Sequence, residues 1–234
     1  MTGRVIFVDA DDTLWENNRW FSRVIDDWVA FVARRGAGRG TALLALHEEE
    51  DRHIPVHGYG AGPFVRSLRT AFARVVPTAS DADRAAFERL AEASEAGIRE
   101  HPIELLPGVA AGLAQLAAAG ERLVVLTKGQ HDEQTAKVAR SGLAGHFAAV
   151  RVVREKDVAT YVAAAAAEGL PPAACWMVGN SPRSDVNPAR LAGMRTVHVP
   201  HPAPWHRELA PPVDSGPPTL VARSFADVPH LTRR

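Results

Sequence analysis

The residues most able to do chemistry lie near the start of the chain. Asp9-Ala10-Asp11-Asp12-Thr13-Leu14 follows directly on the apolar run Val5-Ile6-Phe7-Val8. Carboxylates at i and i+2, at the end of a buried strand, lose hydration and repel each other, which costs free energy unless something offsets it. A divalent cation does so, and magnesium favours such oxygen ligands. The spacing suits a carboxylate nucleophile at Asp9, a second carboxylate for proton transfer at Asp11, and a metal between them. A solvated acidic turn is the plainer alternative. A second candidate is the glycine-rich stretch His57-Gly58-Tyr59-Gly60-Ala61-Gly62-Pro63-Phe64, where Tyr59 and Phe64 could contact a substrate or, equally, sit in a helix connector. His131, His198, His201 and His206 receive no role, and His198 reads as a structural strand residue.

Apolar runs supply the elements that must position these groups. Val5–Val8, Leu123–Leu126, Val150–Val153 and Cys175–Val178 are short, β-branched or bulky, and flanked by polar residues or glycine. Such runs suit fully buried parallel strands. Thr196–Val199 adds a fifth, and residues 219–232 are expected to add a last strand and short helix. Helical spacing covers 108–119, ending at Gly120, and then 132–141 and 157–168. Strand alternating with helix predicts an α/β fold with a doubly wound parallel sheet, whose site is built at the strand C-terminal ends. Residues 16–98 lack a buried-strand run and carry amphipathic segments, such as Trp20-Phe21-Val24-Ile25-Trp28-Val29-Phe31-Val32. They are expected to form an inserted helical domain, with loops at Gly36–Gly40 and His57–Gly62. The expected core is 1–15 plus 99–234. Residues 200–217 are proline-rich and expected to be irregular.

Bulk properties narrow the class. Lysine plus arginine number 27 and aspartate plus glutamate 27, so no basic excess points to nucleic acid. No run of 18 apolar residues suggests a membrane span, and the N-terminus does not read as a signal peptide. Cys175, the single cysteine, cannot form an intramolecular disulfide and is expected in the core. The default expectation is a cytoplasmic chain, with no membrane or nucleic-acid partner and its oligomeric state open.

Taken together, the motifs resemble those of the haloacid dehalogenase superfamily, in its phosphatase branch with a helical (C1-type) cap. The resemblance covers about residues 4–15 and 104–200. Asp9-Ala10-Asp11-Asp12-Thr13 is similar to the first motif, Asp-x-Asp-x-Thr, although the family usually has glycine where this chain has Asp12. Thr127, after Leu123–Leu126, matches the second motif; its hydroxyl would meet a phosphate oxygen, with the backbone amides of Lys128 and Gly129 beside it. Lys156 matches the third motif, Arg154 being the local competitor. Gly179-Asn180-Ser181-Pro182-Arg183-Ser184-Asp185 matches the fourth, Gly-Asp, four residues, Asp, with Asn180 replacing the first acid.

The resemblance implies a phosphatase acting on a small phosphorylated metabolite. Asp9 would be the nucleophile that becomes an aspartyl-phosphate, and Asp11 the general acid and base. Thr127, Lys128 and Lys156 would hold the phosphoryl group. The cofactor implied is Mg²⁺, on Asp9, the Asp11 carbonyl, Asp185 and Asn180, under a cap that closes over the site and sets specificity. A 2-haloacid dehalogenase, a sugar phosphomutase and a non-catalytic binding protein are the alternatives. Dehalogenases of this superfamily share the asparagine of the fourth motif but need no metal and lack the aspartate at position 11.

Overall fold

The computed structural model describes residues 4–233. The apolar runs form β1 (Val5–Val8), β2 (Arg122–Lys128), β3 (Ala149–Val153), β4 (Cys175–Gly179), β5 (Arg195–His198) and β6 (Thr219–Val221). They make one parallel sheet in the order β3-β2-β1-β4-β5-β6. The chain winds outward from β1 through β2 to β3, then crosses back to β4. The order therefore reverses between β1 and β4, where α/β sheets open a crevice at the strand C-termini.

Alternation along β1 builds two cores. Ile6 and Val8 face Val109, Leu113 and Leu116 of α5 (Val109–Ala118), Val138 of α6 (His131–Arg140) and Phe225. Val5 and Phe7 face Tyr161, Ala164 and Ala165 of α7 (Val158–Ala167) and Ala189 of α8 (Asn187–Leu191). Successive strand side chains point to opposite faces, so a strand buried on both sides must be apolar throughout. β3 departs from the expected full burial: all five of its residues are half-buried because it is an edge strand. The expected closing helix is α9 (Val228–Leu231), and Cys175 is fully buried.

A second compact unit spans Arg19–Pro102. Its helices are α1 (Asn18–Ala33), α2 (Arg39–His57), α3 (Ala61–Val75) and α4 (Asp81–Glu100). It thus begins and ends a few residues later than 16 and 98, since α4 runs on to Glu100. Its own core includes Trp28, Val32, Leu46, Leu68, Phe72, Phe87 and Ile98. Phe72 stacks on Phe87 with ring centroids 4.1 Å apart. Ser80 and Asp83 form a capping box that fixes where α4 starts. Among the described residues, no helix is long and apolar enough to cross a membrane.

Gly112 shows how closely α5 packs. A Cβ there would stand 2.8 Å from Phe225 Cδ1 and 2.9 Å from the Phe225 carbonyl oxygen. Gly112→Ala gains about 1 kcal/mol of helix propensity but overpacks against backbone, which costs about 1–3 kcal/mol. Urea unfolding should show a net loss of up to about 2 kcal/mol. A stabilised variant would show that α5 can slide away from Phe225.

Candidate active site

The site starts where β1 ends. Asp9 continues the sheet by donating its N–H to the Val178 carbonyl at 2.9 Å, and the chain then turns tightly, with the Leu14 N–H bonded to the Ala10 carbonyl at 2.8 Å. Asp12 holds this turn at φ +59, in the left-handed region that glycine enters freely and aspartate tolerates better than most residues. Its carboxylate receives the N–H groups of Asn17 and Asn18 at 2.8 and 2.9 Å, capping the approach to α1.

The chain beyond two other strands, β3 and β4, brings Lys156 and Asp185 to Asp9. Lys156, three residues beyond β3, is buried, and its Nζ lies 2.5 Å from Asp9 Oδ1 and 2.8 Å from Asp185 Oδ1. Arg154 is exposed. After β4, a single wide turn over Pro182–Val186 brings Asp185 back towards its own strand, where Oδ2 accepts the Ser181 N–H at 2.9 Å. Gly179 permits this: a Cβ there would fall 2.2 Å from Asp185 Oδ2. Tyr161 of α7 buttresses the turn by donating its hydroxyl to the Ser184 carbonyl at 2.8 Å. Thr127 is buried at the end of β2.

Thr13 links the first and fourth motifs. Its hydroxyl can donate to Asp9 Oδ2 at 3.1 Å or Asn180 Oδ1 at 3.2 Å, and it accepts the Asn180 N–H at 3.0 Å. His198, with no role expected, places Nε2 3.0 Å from the Asn180 carbonyl.

Burial and the Asp185 charge push the Asp9 carboxyl up to about 7, against the pull of Lys156. Burial opposes the Lys156 charge, yet Asp185 and Asp9 outweigh it and hold the ammonium above its ordinary range. Asp9 and Asp185 converge on the buried Lys156 ammonium, and with Asn180 beside them they offer oxygen donors of the kind a hard divalent cation takes.

Asp11 points into a different set of partners, which the sequence reading missed. Its Oδ1 accepts from Trp15 Nε1 at 2.8 Å and Lys137 Nζ at 3.1 Å; its Oδ2 accepts from Gln134 Nε2 at 2.9 Å and Lys137 Nζ at 3.1 Å. Lys137 also reaches Asn17 Oδ1 at 2.8 Å. Burial opposes the Asp11 charge, but Lys137, Gln134 and Trp15 override it and hold the carboxyl below its usual range. Gln134 and Lys137 sit at i and i+3 on α6 with buried Val138 beside them. Two long polar side chains on an inward helix face were the available signal. Gly129, at φ +140, makes room for Gln134, since a Cβ there would meet its Nε2 at 2.9 Å.

Glu208, in the proline-rich segment, gave no signal. It accepts from Lys128 Nζ at 2.9 Å and from the hydroxyls of Ser181 and Ser184. The Lys128 ammonium is thereby drawn to Glu208 and to Ser184 Oγ at 2.8 Å, so only its backbone amide still answers the expectation made for it. The expected loop at 57–64 shrinks to Gly58–Gly60 between α2 and α3. Phe64 lies inside α3 in the core of the helical unit, edge-on to Phe21 with centroids 5.1 Å apart, because a helical spacing of apolar residues continues through it. Its ring is a packing group, while Tyr59 stays half-exposed.

The haloacid dehalogenase-like hydrolase family model matches residues 4–193, and the chain belongs to that family. It is 37% identical over 145 residues to a phosphoserine phosphatase from Thermus thermophilus; the match takes in 59% of this chain and 55% of the relative, so it spans about half the relative's length. Among solved structures, a haloacid dehalogenase-like family hydrolase from Xanthomonas campestris superposes with TM-score 0.83 at 27% identity, over 99% of this chain and 91% of that one. A 2-haloacid dehalogenase from Pseudomonas syringae pv. tomato shares the fold, with TM-score 0.64 at 24% identity over 99% of both chains.

Lys137→Met tests the Asp11 contacts. Removing one partner of a buried pair strands the other charge, at a cost of about 3 kcal/mol at pH 7, the low end for such pairs because Asp11 keeps 21% side-chain exposure. A carboxyl held low in the folded protein adds stability above the ordinary carboxylate range, and that stability is lost as the pH falls through its folded value. The gap between wild type and variant should therefore narrow in denaturant unfolding as the pH falls below the ordinary carboxylate value of about 4. A gap that stays constant as the pH is lowered through and below that value would contradict the pairing.

Proposed function

We propose that this hydrolase is a phosphatase acting on a small phosphomonoester through an aspartyl-phosphate on Asp9. The observation that carries the reading is the convergence of Asp9 and Asp185 on the Lys156 ammonium, with a further carboxylate, Asp11, two residues from the nucleophile. The likeness to a phosphoserine phosphatase supports the phosphoryl class. Magnesium, held by Asp9, the Asp11 carbonyl, Asp185 and Asn180, would supply the positive charge that lets one anion approach another.

The residues divide the work. An Asp9 oxygen attacks phosphorus, and the bond to the leaving oxygen breaks as the Asp11 carboxyl protonates that oxygen. Water then attacks the same phosphorus and gives its proton to Asp11, and the Asp9–phosphorus bond breaks to release phosphate. Lys156 and Thr127, with the Lys128 amide, hold phosphoryl oxygens as charge redistributes. Thr13 keeps Asp9 and Asn180 aligned. In the arrangement described, Asp11 accepts four hydrogen bonds, so carrying a proton obliges it to surrender at least one. Tyr59 is the candidate for substrate choice.

A 2-haloacid dehalogenase is the second reading, favoured by Asn180. Purified protein should release phosphate from phosphomonoesters, O-phosphoserine among them, with magnesium and not with excess chelator. Halide release from a 2-haloacid without phosphate release would reverse the assignment. Asp11→Asn should slow an alkyl phosphate by about 10²–10⁴-fold, the usual worth of a positioned acid–base group. An aryl phosphate, whose leaving oxygen needs no proton, should lose less in the phosphoryl-transfer step. Equal losses on both would assign Asp11 to support of the fold.

A further inference from the structure

Beside Asp9 and Asp11, but outside the chemistry just described, lies a second group of ionisable side chains. His201 leaves the end of β5 and buries its ring, with 2% of the side chain exposed. Its Nε2 stands 3.4 Å from Glu16 Oε2 and 3.9 Å from Asp12 Oδ1. Among the described residues that nitrogen has no hydrogen-bond partner. A buried imidazole nitrogen that faces two carboxylates without a hydrogen bond to either gives up hydration for an incomplete return. One ligand atom from each of the three side chains lies within 4.8 Å of the others, close enough for one ion to touch all three.

We propose that Asp12, Glu16 and His201 form a second divalent-cation site, distinct from the Asp9 and Asp185 pair and selective for a borderline ion such as zinc. One imidazole nitrogen with two carboxylates suits zinc or a neighbouring transition metal, whereas magnesium prefers oxygen donors and keeps its water. Asp12 occupies the position where the resemblance leads one to expect glycine. Its capping bonds fall mainly on Oδ1, leaving Oδ2 with a single contact at 3.2 Å, from the Asn18 N–H. One cost is visible. The Ala203 N–H lies 3.2 Å from His201 Nδ1, and a metal on Nε2 leaves the ring proton on Nδ1. That N–H must turn aside when the ion binds, at the expense of one long hydrogen bond. In return the ion fastens the proline-rich segment to the Asp9–Leu14 turn, reinforcing the Asn18 Nδ2 bond to the Ala203 carbonyl at 3.1 Å. The same segment carries Glu208, so the tie would steady the brace on Ser181 and Ser184.

The test is equilibrium dialysis of the whole protein against zinc in excess magnesium, with thermal unfolding measured alongside. Wild type should hold one zinc equivalent and melt at higher temperature when it is bound. Asp12→Gly, Glu16→Gln and His201→Gln should each weaken that equivalent by at least about 10–100-fold, a loss that even outer-shell changes produce. Glycine suits the Asp12 backbone, and Glu16 keeps 23% side-chain exposure, so these variants should fold even if the His201 variant does not. His53→Gln with His57→Gln, on α2, should leave the equivalent intact. No zinc equivalent in wild type, or one that survives Asp12→Gly and Glu16→Gln, would overturn the proposal.

Discussion

A single buried ammonium holds the centre of this protein. Lys156 Nζ lies between Asp9 and Asp185, and all three side chains are nearly withdrawn from water. Each ion gives up several kcal/mol of hydration, which only close mutual contact recovers. The fold serves that contact. β1 and β4 are neighbours, so their ends deliver Asp9 and the Asp185 turn side by side. β3 stops three residues before Lys156 at the sheet edge, and the chain from there runs inward to the switch between β1 and β4. Gly179 lets Asp185 fold back, and Tyr161 supports the turn from α7.

Around this centre Asp11 and Glu208 are held by partners of their own. Asp11, two residues from Asp9, faces Lys137, Gln134 and Trp15. The first turn after β1 therefore presents two carboxylates in opposite electrostatic states: Asp9 with its affinity for a proton raised, Asp11 with its affinity lowered. Glu208 keeps Lys128 and the two serines of the fourth motif in one network. In the proposed mechanism the group that must change protonation during turnover, Asp11, is thus anchored to α6, a helix of the core, and the rate at which it exchanges partners belongs to that contact and not to the proposed nucleophile.

What could be read in the sequence was whatever chain order alone decides. Short apolar runs gave the strands, and the rule that α/β sites form at strand C-termini put Asp9, Thr127, Lys156 and Asp185 on one edge. Lys156 could be preferred to Arg154 by position, and burial separates them in the structure. Contacts created by packing were hidden. Gln134 and Lys137 mark an inward polar face on α6, but nothing in the sequence says that this face will meet Asp11, over 120 residues away. Nothing in a proline-rich stretch announces that Glu208 and His201 turn inward. β3 misled because an edge strand and a central one share the same apolar pattern. Phe64 misled because a glycine-rich start to a helix resembles a loop when read as composition.

Covalent phosphorylation of Asp9, as proposed, can be tested directly. The protein would be mixed with a phosphomonoester labelled in its phosphoryl group, quenched rapidly in acid, reduced with borohydride and mapped by peptide mass spectrometry. An acyl-phosphate on Asp9, read as homoserine at position 9 after reduction, should form and decay within turnover and be absent from Asp9→Asn. Homoserine at another aspartate, or phosphate released by Asp9→Asn at the wild-type rate, would contradict this.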